Sequence, residues 1–231
     1  MLMRLNDITS EVFAEHMKSN SWIVIPLGAV EAHGPHLPLG TDIFQPDYIL
    51  SMIDKVHGGR VIIAPMMPYG QHYTARDTPG TIDISFDTLR SFMRDVLNAF
   101  MRHGAKKIMI LSGHAGMTHL VAITEACREI ARSHSIEIVF LSEFHLAKKY
   151  GIPEEDEHAG LMETSRMLHI RPDLVKNERP SGSYRNLGYH ILKDAGARLP
   201  NGVSGDTKNA SAEMGKRIDD FIVEELRKIL S

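Results

Sequence analysis

The sequence has little that would cross-link the chain, anchor it in a membrane or attract nucleic acid. Cys127 is its single cysteine, so no disulfide can form within the chain and a reducing cytoplasm is the expected setting. No apolar run approaches the ~18 residues of a membrane span, and the first residues do not resemble a signal peptide. A formal net charge of −3 argues against nucleic acid and anionic membranes as partners. A globular protein that binds a small molecule is therefore expected.

The signatures of several common catalytic classes are also missing. The sequence contains no H-E-x-x-H zinc motif, no G-x-S-x-G nucleophile motif and no G-x-x-x-x-G-K phosphate loop. No G-x-G-x-x-G follows the first predicted strand. A serine-type acyl mechanism and a dinucleotide site therefore have little support.

Short runs rich in Ile and Val alternate with amphipathic helical patterns. The runs are typical of strands buried on both faces, and they are Trp22–Leu27, Val61–Met66, Lys107–Leu111 and Ile136–Leu141. Helices are predicted over Asp47–Val56, Phe86–Met101, Leu120–Arg132 and Ala210–Leu230, with starts near Asp87 and Ser211. This alternation predicts an α/β protein in which a mostly parallel sheet carries helices on both faces. A single domain over residues 1–231 is expected.

One long segment, Arg179–Asp206, is rich in Gly, Ser, Asn and Pro and has weak periodicity. In a compact domain such a segment is either a functional loop or a mobile insertion. The sequence leaves both alternatives open.

Acidic residues and histidines follow three of the predicted strands. Ligand sites in open α/β sheets lie beyond the carboxyl ends of the strands, so these side chains are expected to converge. Carboxylates mixed with imidazoles suit Zn, Mn or Fe(II) better than Ca. The residues concerned are Glu31, His33 and Asp42 after the first strand, His114 after the third, and His158 and Glu163 some way after the fourth.

Local geometry adds to this prediction of a metal site. Residues i and i+2 of an extended chain point the same way, so Glu31 and His33 could face one pair of ions. The two oxygens of Asp42 could bridge two cations. Any one histidine is more often structural than a ligand, so the prediction depends on the three segments together.

These segments resemble the motifs of the creatininase family of metal-dependent amidohydrolases. The run IPLGAVEAHGPHLPLGTD is similar to the family signature, and YGQHYTARDTPGTIDIS, ILSGHAGM and HAGLMETS follow in the family's order. The resemblance covers most of the chain from the first strand to the last motif. It implies a three-layer α/β/α fold, two divalent ions per chain and a homo-oligomer, in this family a hexamer.

The resemblance also implies roles for individual residues. Glu31, His33, Asp42 and His114 match metal ligands, with Asp42 as the bridge. His158 matches a residue close to the reacting group, and Glu163 matches an acidic catalytic residue that is a ligand or a near-ligand. The alternative for Glu163 is an acid in the first turn of a helix, favoured by the dipole. His36 is expected to orient its neighbours rather than bind metal.

The chain departs from the family pattern around His114 and before His158. Gly116 stands where creatininase has a glutamate ligand, so the second ion must find another ligand, with Glu163 as the first candidate. The stretch Glu154–Glu157 is acidic where creatininase has aromatic residues near its substrate. Either a wetter, more open cavity mouth or a substrate with donor groups is therefore expected, together with negligible turnover of creatinine.

The combined prediction is a hydrolase that uses two divalent ions, Zn, Mn or Fe(II), to cleave a non-peptide C–N bond in a small polar molecule. The bond would belong to a cyclic amide or a formamide. A formamido-pyrimidine deformylase is the most specific version, in which Arg179, Arg185 and Lys193 could hold a phosphate. Two alternatives stay open: a non-catalytic binding or regulatory protein with a metal, and hydrolysis of creatinine itself.

Overall fold

The computed structural model describes residues 3–57, 61–186, 188 and 190–231. Within these residues a five-stranded sheet has the strand order β1-β3-β2-β4-β5, and every neighbouring pair is parallel. The predicted parallel sheet is confirmed, so the carboxyl ends of its strands meet at one edge. The strands are β1 (Met3–Arg4), β2 (Trp22–Leu27), β3 (Val61–Ile63), β4 (Lys107–Ser112) and β5 (Glu137–Ser142).

Helices cover both faces of the sheet. None of those in the described ranges combines the length and apolar character needed to cross a bilayer. The helices are α1 (Ser10–Lys18), α2 (Thr41–His57), α3 (Phe86–Arg102), α4 (Met117–Ser133), α5 (Glu143–Tyr150), α6 (Leu161–Ile170) and α7 (Ala212–Leu230).

The two faces of the sheet bury two separate hydrophobic clusters. Successive strand residues point to opposite faces. Ile23 and Ile25 of β2 pack with α1, α3 and α4, whereas Trp22 and Val24 pack with α2, α5, α6 and α7. The predicted three-layer α/β/α architecture is therefore confirmed. Cys127 belongs to the first cluster, and burial raises the pKa of its thiol to about 12, in keeping with a packing role.

Some element boundaries differ from the predicted ones. α2 begins at Thr41 rather than near Asp47, because Pro46 inside it disguises the helical pattern in the sequence. β3 ends at Ile63, although the amide of Met67 still donates to the Pro26 carbonyl (3.1 Å) beyond it. The named apolar patterns do not indicate β1, α1, α5 or α6.

Helix capping agrees with the sequence at one of two predicted starts. Ser211 caps α7 by accepting from the Met214 amide (3.2 Å), as expected. α3 is capped by Ser85 rather than Asp87, because the Ser85 hydroxyl accepts from the Thr88 amide (3.2 Å). Asp87 lies in the first turn of that helix.

The segment 179–206 pairs with itself and with His158. Gly182 pairs with Gly205, and Ser204 pairs with His158, through antiparallel backbone bridges. Leu187 and Tyr189 lie outside the described residues. These backbone bridges favour the functional-loop interpretation of this segment.

A fully buried arginine joins the helices of the second layer. Arg166 in α6 donates from Nε to Asp219 Oδ1 in α7 (2.5 Å). Its Nη1 donates to Gln45 Oε1 in α2 (2.6 Å) and to Glu143 Oε2 in α5 (3.1 Å). This network holds α6, which carries Glu163, in a defined position.

Arg166→Met should lower the free energy of unfolding by about 3–5 kcal/mol, because it leaves the carboxylates of Glu143 and Asp219 buried without a cation. Urea denaturation followed by circular dichroism measures the change. Arg171→Met is the matched control: its partner Asp173 is exposed, so the midpoint should stay near the wild-type value. An equal loss in both variants would contradict the structural role of Arg166.

Candidate metal centre

Close backbone packing places Asp42 at the carboxyl edge of the sheet. Asp42 lies in the first turn of α2. A Cβ on Gly28 would lie 2.7 Å from the Asp42 carbonyl oxygen, and a Cβ on Gly113 would lie closer still. Glycines after β2 and β4 therefore allow α2 to begin directly against the strand ends. Pro46 has no N–H to donate to the same carbonyl.

The segment that carries Glu31 and His33 has no regular secondary structure. Hydrogen bonds to the P-G-T-I motif, residues 79–82, hold it in place. The Ala32 amide donates to Thr81 Oγ1 (3.0 Å), and the Ile82 amide donates to the Val30 carbonyl (2.9 Å). The structural task of this motif is therefore to fix the backbone on both sides of Glu31.

Asp42 presents one carboxylate oxygen to each of two histidines. Its Oδ1 lies 3.0 Å from His33 Nε2, and its Oδ2 lies 3.1 Å from His114 Nδ1. Glu163 Oε2 lies 3.7 Å from His33 Nε2, and Glu31 Oε2 lies 2.9 Å from His114 Nδ1. Two sets of candidate ligands lie around Asp42, and we call them the His33 group (His33, Asp42, Glu163) and the His114 group (Glu31, His72, His114). A third set that could hold one ion combines Glu31, His33 and His158.

The ring orientations of His33 and His114 suit metal binding. His33 Nδ1 lies 3.0 Å from the Glu31 carbonyl oxygen, and His114 Nε2 lies 3.1 Å from the Gln71 carbonyl oxygen. A carbonyl only accepts, so these outer nitrogens donate to it, and the inner nitrogens, His33 Nε2 and His114 Nδ1, face the carboxylates. Histidine ligands of metals are typically oriented in this way.

Several buried polar atoms between these side chains have no hydrogen-bond partner among the described residues. They include Glu31 Oε2, His33 Nε2 and both ring nitrogens of His72. Their neighbours are close but not aligned for hydrogen bonding. Buried polar groups are normally satisfied, so atoms left in this state suit a site that binds cations.

The charges of these side chains also suit a site that binds cations. Burial opposes ionisation of Asp42, but the charge of His33 and a hydrogen bond from His114 lower its pKa to about 2. Burial likewise opposes ionisation of Glu31, yet His114 and His158 hold its pKa well below the ordinary value. Burial lowers the pKa of His114, but Glu31 and Asp42 raise it to about 10. Ionised carboxylates thus keep a proton on the facing imidazole, and divalent cations would replace such protons.

His158 lies at the edge of this centre. Its Nε2 donates to the Ala32 carbonyl (3.0 Å), and its ring lies 4.3 Å from the ring of His33. The Ser204 amide donates to its backbone carbonyl (2.7 Å) and fixes it from the opposite side. His158 therefore stands beside the candidate ligands in the wall of the adjoining cavity.

Glu163 combines both roles that the sequence leaves open. It lies in the first turn of α6, where its Oε2 accepts from the Ala159 amide (2.5 Å). The same oxygen faces His33. Glu163 belongs to the His33 group rather than to the His114 group, and its role as the replacement for a carboxylate at Gly116 stays a prediction.

A cavity of about 610 Å³ opens onto the centre. Three aromatic residues, Tyr73, Phe144 and Tyr184, line it. Of the acidic stretch before His158, Glu157 lines the cavity, but the carboxylate of Asp156 is buried and accepts from the Met162 amide (3.0 Å) at the start of α6. The expectation of a mouth made wet by four acids is therefore wrong for Asp156, and aromatic walls are present.

Comparison with known proteins agrees with this geometry. Residues 6–230 match the sequence model of the family described as creatininase, creatinine amidohydrolase. The chain belongs to the creatininase family. The family motifs predicted from the sequence are the segments that surround the centre.

Relatives within the creatininase family act on different molecules. The creatinine amidohydrolase of Pseudomonas putida is 28% identical over an alignment of 226 positions that covers 87% of this chain and 85% of that protein. The mycofactocin precursor peptide peptidase of Mycobacterium ulcerans (strain Agy99) is 31% identical over an alignment of 215 positions that covers 88% of this chain and 82% of that protein.

Solved structures of creatininase share the fold. Its Mn form has a TM-score of 0.85 at 23% identity and covers 100% of this chain and 98% of its own. A variant of Zn–Zn type has a TM-score of 0.84 at 23% identity and covers 100% of this chain and 97% of its own.

Four further residues complete the description of this creatininase-family site. His36 lies outside the candidate metal groups and contacts Thr164 Oγ1 through Nε2 (2.9 Å), in keeping with an orienting role. His72, His119 and Arg198 are not singled out by the sequence analysis. His72 falls inside a quoted family segment, which is the signal that could have found it, whereas Arg198 lies in the weakly periodic segment and has none.

Proposed function

We propose that this creatininase-family chain is a dinuclear metal-dependent hydrolase of a non-peptide C–N bond in a small polar amide. The observation that carries the proposal is Asp42, whose two oxygens face His33 and His114 separately. A bridging carboxylate between two ions has this arrangement. Residues 1–231 would act as one catalytic domain.

The ligands of one ion would be His33, Asp42 and Glu163, and those of the other would include Glu31, Asp42 and His114. The three buried carboxylates among them carry three negative charges, which suit two divalent cations. Two such ions activate a water molecule and polarise the carbonyl of the substrate. Zn, Mn and Fe(II) all accept this mixture of oxygen and imidazole nitrogen.

His158 would transfer the proton. Its Nε2 hydrogen is donated to the Ala32 carbonyl, so Nδ1 is the nitrogen that can take up a proton. Its place in the cavity wall beside His33 suits delivery of that proton to the leaving nitrogen.

The surroundings of Arg198 favour a substrate that carries an anionic group. It is 8% exposed and lines the cavity. Its Nη2 donates to the His190 carbonyl (2.7 Å) and its guanidinium lies 5.9 Å from the ring of Tyr184, but Nε has no partner among the described residues. A buried guanidinium in this state suits a carboxylate or phosphate. Lys193, named above for a phosphate, lines a neighbouring cavity of about 980 Å³ instead.

Matched pairs of amides test the proposal. The protein loaded with Zn or Mn is assayed on N-formylglycine and N-formylglycinamide, on pyroglutamate and its amide, on creatinine and on a short peptide. Hydrolysis of an acid in preference to its amide is expected, with creatinine well below the ~10⁴ M⁻¹s⁻¹ that marks an ordinary enzyme on its own substrate.

Arg198→Met should abolish the preference for the acid while the metal content stays unchanged. Lys193→Met is the control, because it removes a positive charge beside the other cavity. Cleavage of the peptide alone would assign a peptidase, and efficient creatinine turnover would contradict the substrate proposed above. Two bound metals with no turnover of any compound would favour the non-catalytic alternative.

A further inference from the structure

We infer that His72 is a metal ligand of this chain and completes the His114 group. The inference rests on the dinuclear centre of the proposed function but not on its substrate.

The His72 ring lies next to Glu31 and His114. Its side chain is fully buried, and its Nδ1 lies 3.2 Å from Glu31 Oε1. The ring lies 4.6 Å from the ring of His114. His72, Glu31 and His114 each offer a ligand atom, and these atoms lie within 4.8 Å of one another. A single cation can therefore reach all three, with Nδ1 as the nitrogen of His72.

His72 differs in its hydrogen bonding from His119, a buried histidine next to the same centre. His119 Nδ1 accepts from the Gln71 amide (3.3 Å), and its Nε2 lies 3.3 Å from Ser112 Oγ. Neither nitrogen of His72 has a hydrogen-bond partner among the described residues. Leaving a buried polar group unsatisfied is costly, and a bound cation would remove that cost at His72. His119 needs no such partner.

The backbone around His72 is held in place by hydrogen bonds. The His72 amide donates to Asp83 Oδ1 (2.7 Å), so the residue is held from outside the centre. The preceding residue, Gln71, accepts from His114 Nε2 through its carbonyl (3.1 Å) and donates to His119 through its amide. The peptide that orients His114 therefore also places His72, and His119 is a positioning residue for both.

The space beside His114 leaves no room for a carboxylate at Gly116. A Cβ there would lie 2.6 Å from His114 Nε2, so a glutamate at this position would displace His114. Glu163 lies in the His33 group. Among the described residues, His72 is the side chain grouped with Glu31 and His114 as a possible ligand of one ion.

This ligand has a chemical consequence. A neutral imidazole in place of a carboxylate leaves the His114 group with one negative charge fewer. Imidazole suits Zn and Fe(II), whereas carboxylate suits Mn. The ion of the His114 group should therefore be Zn or Fe(II) in preference to Mn.

Metal binding of the full chain tests the inference. Apoprotein made with a chelator is dialysed against buffered Zn, and bound metal is counted by elemental analysis. The wild type should bind two Zn per chain. His72→Gln should keep one tight ion and bind the second more than ~100-fold more weakly, beyond the range for loss of an outer-sphere partner. His119→Gln should stay within that range, and His72→Asp should bind both ions but shift the second towards Mn.

A measurement on the wild type avoids any dependence on folding of the variants. After substitution with ¹¹³Cd and ¹⁵N-labelling of histidine, three histidines should show metal–nitrogen coupling. Two coupled histidines, or two tightly bound Zn in His72→Gln, would overturn the inference while the dinuclear centre stands. A wild type that binds no metal would instead contradict the proposed function itself.

Discussion

Asp42→Ala should release both metal ions from each chain, whereas His33→Ala should weaken mainly one of them. The reason is the position of the Asp42 carboxylate, which has one oxygen 3.0 Å from His33 Nε2 and the other 3.1 Å from His114 Nδ1. Its removal takes a carboxylate oxygen away from both His33 and His114, whereas His33→Ala removes a ligand from the His33 group alone. Metal per chain, measured by elemental analysis after dialysis at micromolar free Zn, should fall from two to near zero in Asp42→Ala.

Glu157→Ala is the matched control for that experiment. Glu157 lines the same cavity but belongs to neither metal group, so its loss removes a carboxylate without removing a candidate ligand. Two ions per chain are expected in this variant. Two ions still bound in Asp42→Ala would show that Asp42 is not the bridge, and one ion would make it a ligand of a single site.

His158→Ala should lower kcat by roughly 10²–10⁴-fold, the usual range for loss of a general acid–base group, with both metals retained. The side chain lies in the cavity wall and donates Nε2–H to the Ala32 carbonyl, which leaves Nδ1 to carry the proton. The measurement is turnover of the best amide from the panel above, with elemental analysis of the same sample.

His169→Ala controls for the general effect of deleting a histidine. His169 accepts from or donates to Tyr48 Oη (3.0 Å) and lies outside the cavity and the metal groups. Its kcat should stay near that of the wild type. A distinct outcome is loss of one ion in His158→Ala, because a ligand atom of His158 lies within 4.8 Å of ligand atoms of Glu31 and His33. That result would make His158 a ligand rather than a proton carrier.

The layered fold is predictable because burial of a parallel strand leaves a trace in every residue. β2 is buried along its whole length, and its sequence WIVIPL is continuously apolar. The apolar spacing of α3 and α7 predicts them for a similar reason, since one face of each packs on the sheet. α2 shows the limit, because Pro46 conflicts with local helix rules and tertiary packing against the strand ends overrides it.

The candidate metal centre, like the fold, could be predicted from the sequence only in part. Glu31, His33, Asp42 and His114 are expected to converge because they follow strands whose carboxyl ends meet at one edge, and their side chains do lie together. Their roles as ligands stay predictions until metal is measured.

The side chains that complete the site carry no comparable local signal. His72 meets Glu31 through a loop held by Asp83, and Arg198 reaches the cavity through an irregular segment. Local periodicity reports only which face of an element is buried. Contacts between residues far apart in the chain depend on how loops pack over the sheet edge, and that packing is a property of the folded backbone as a whole.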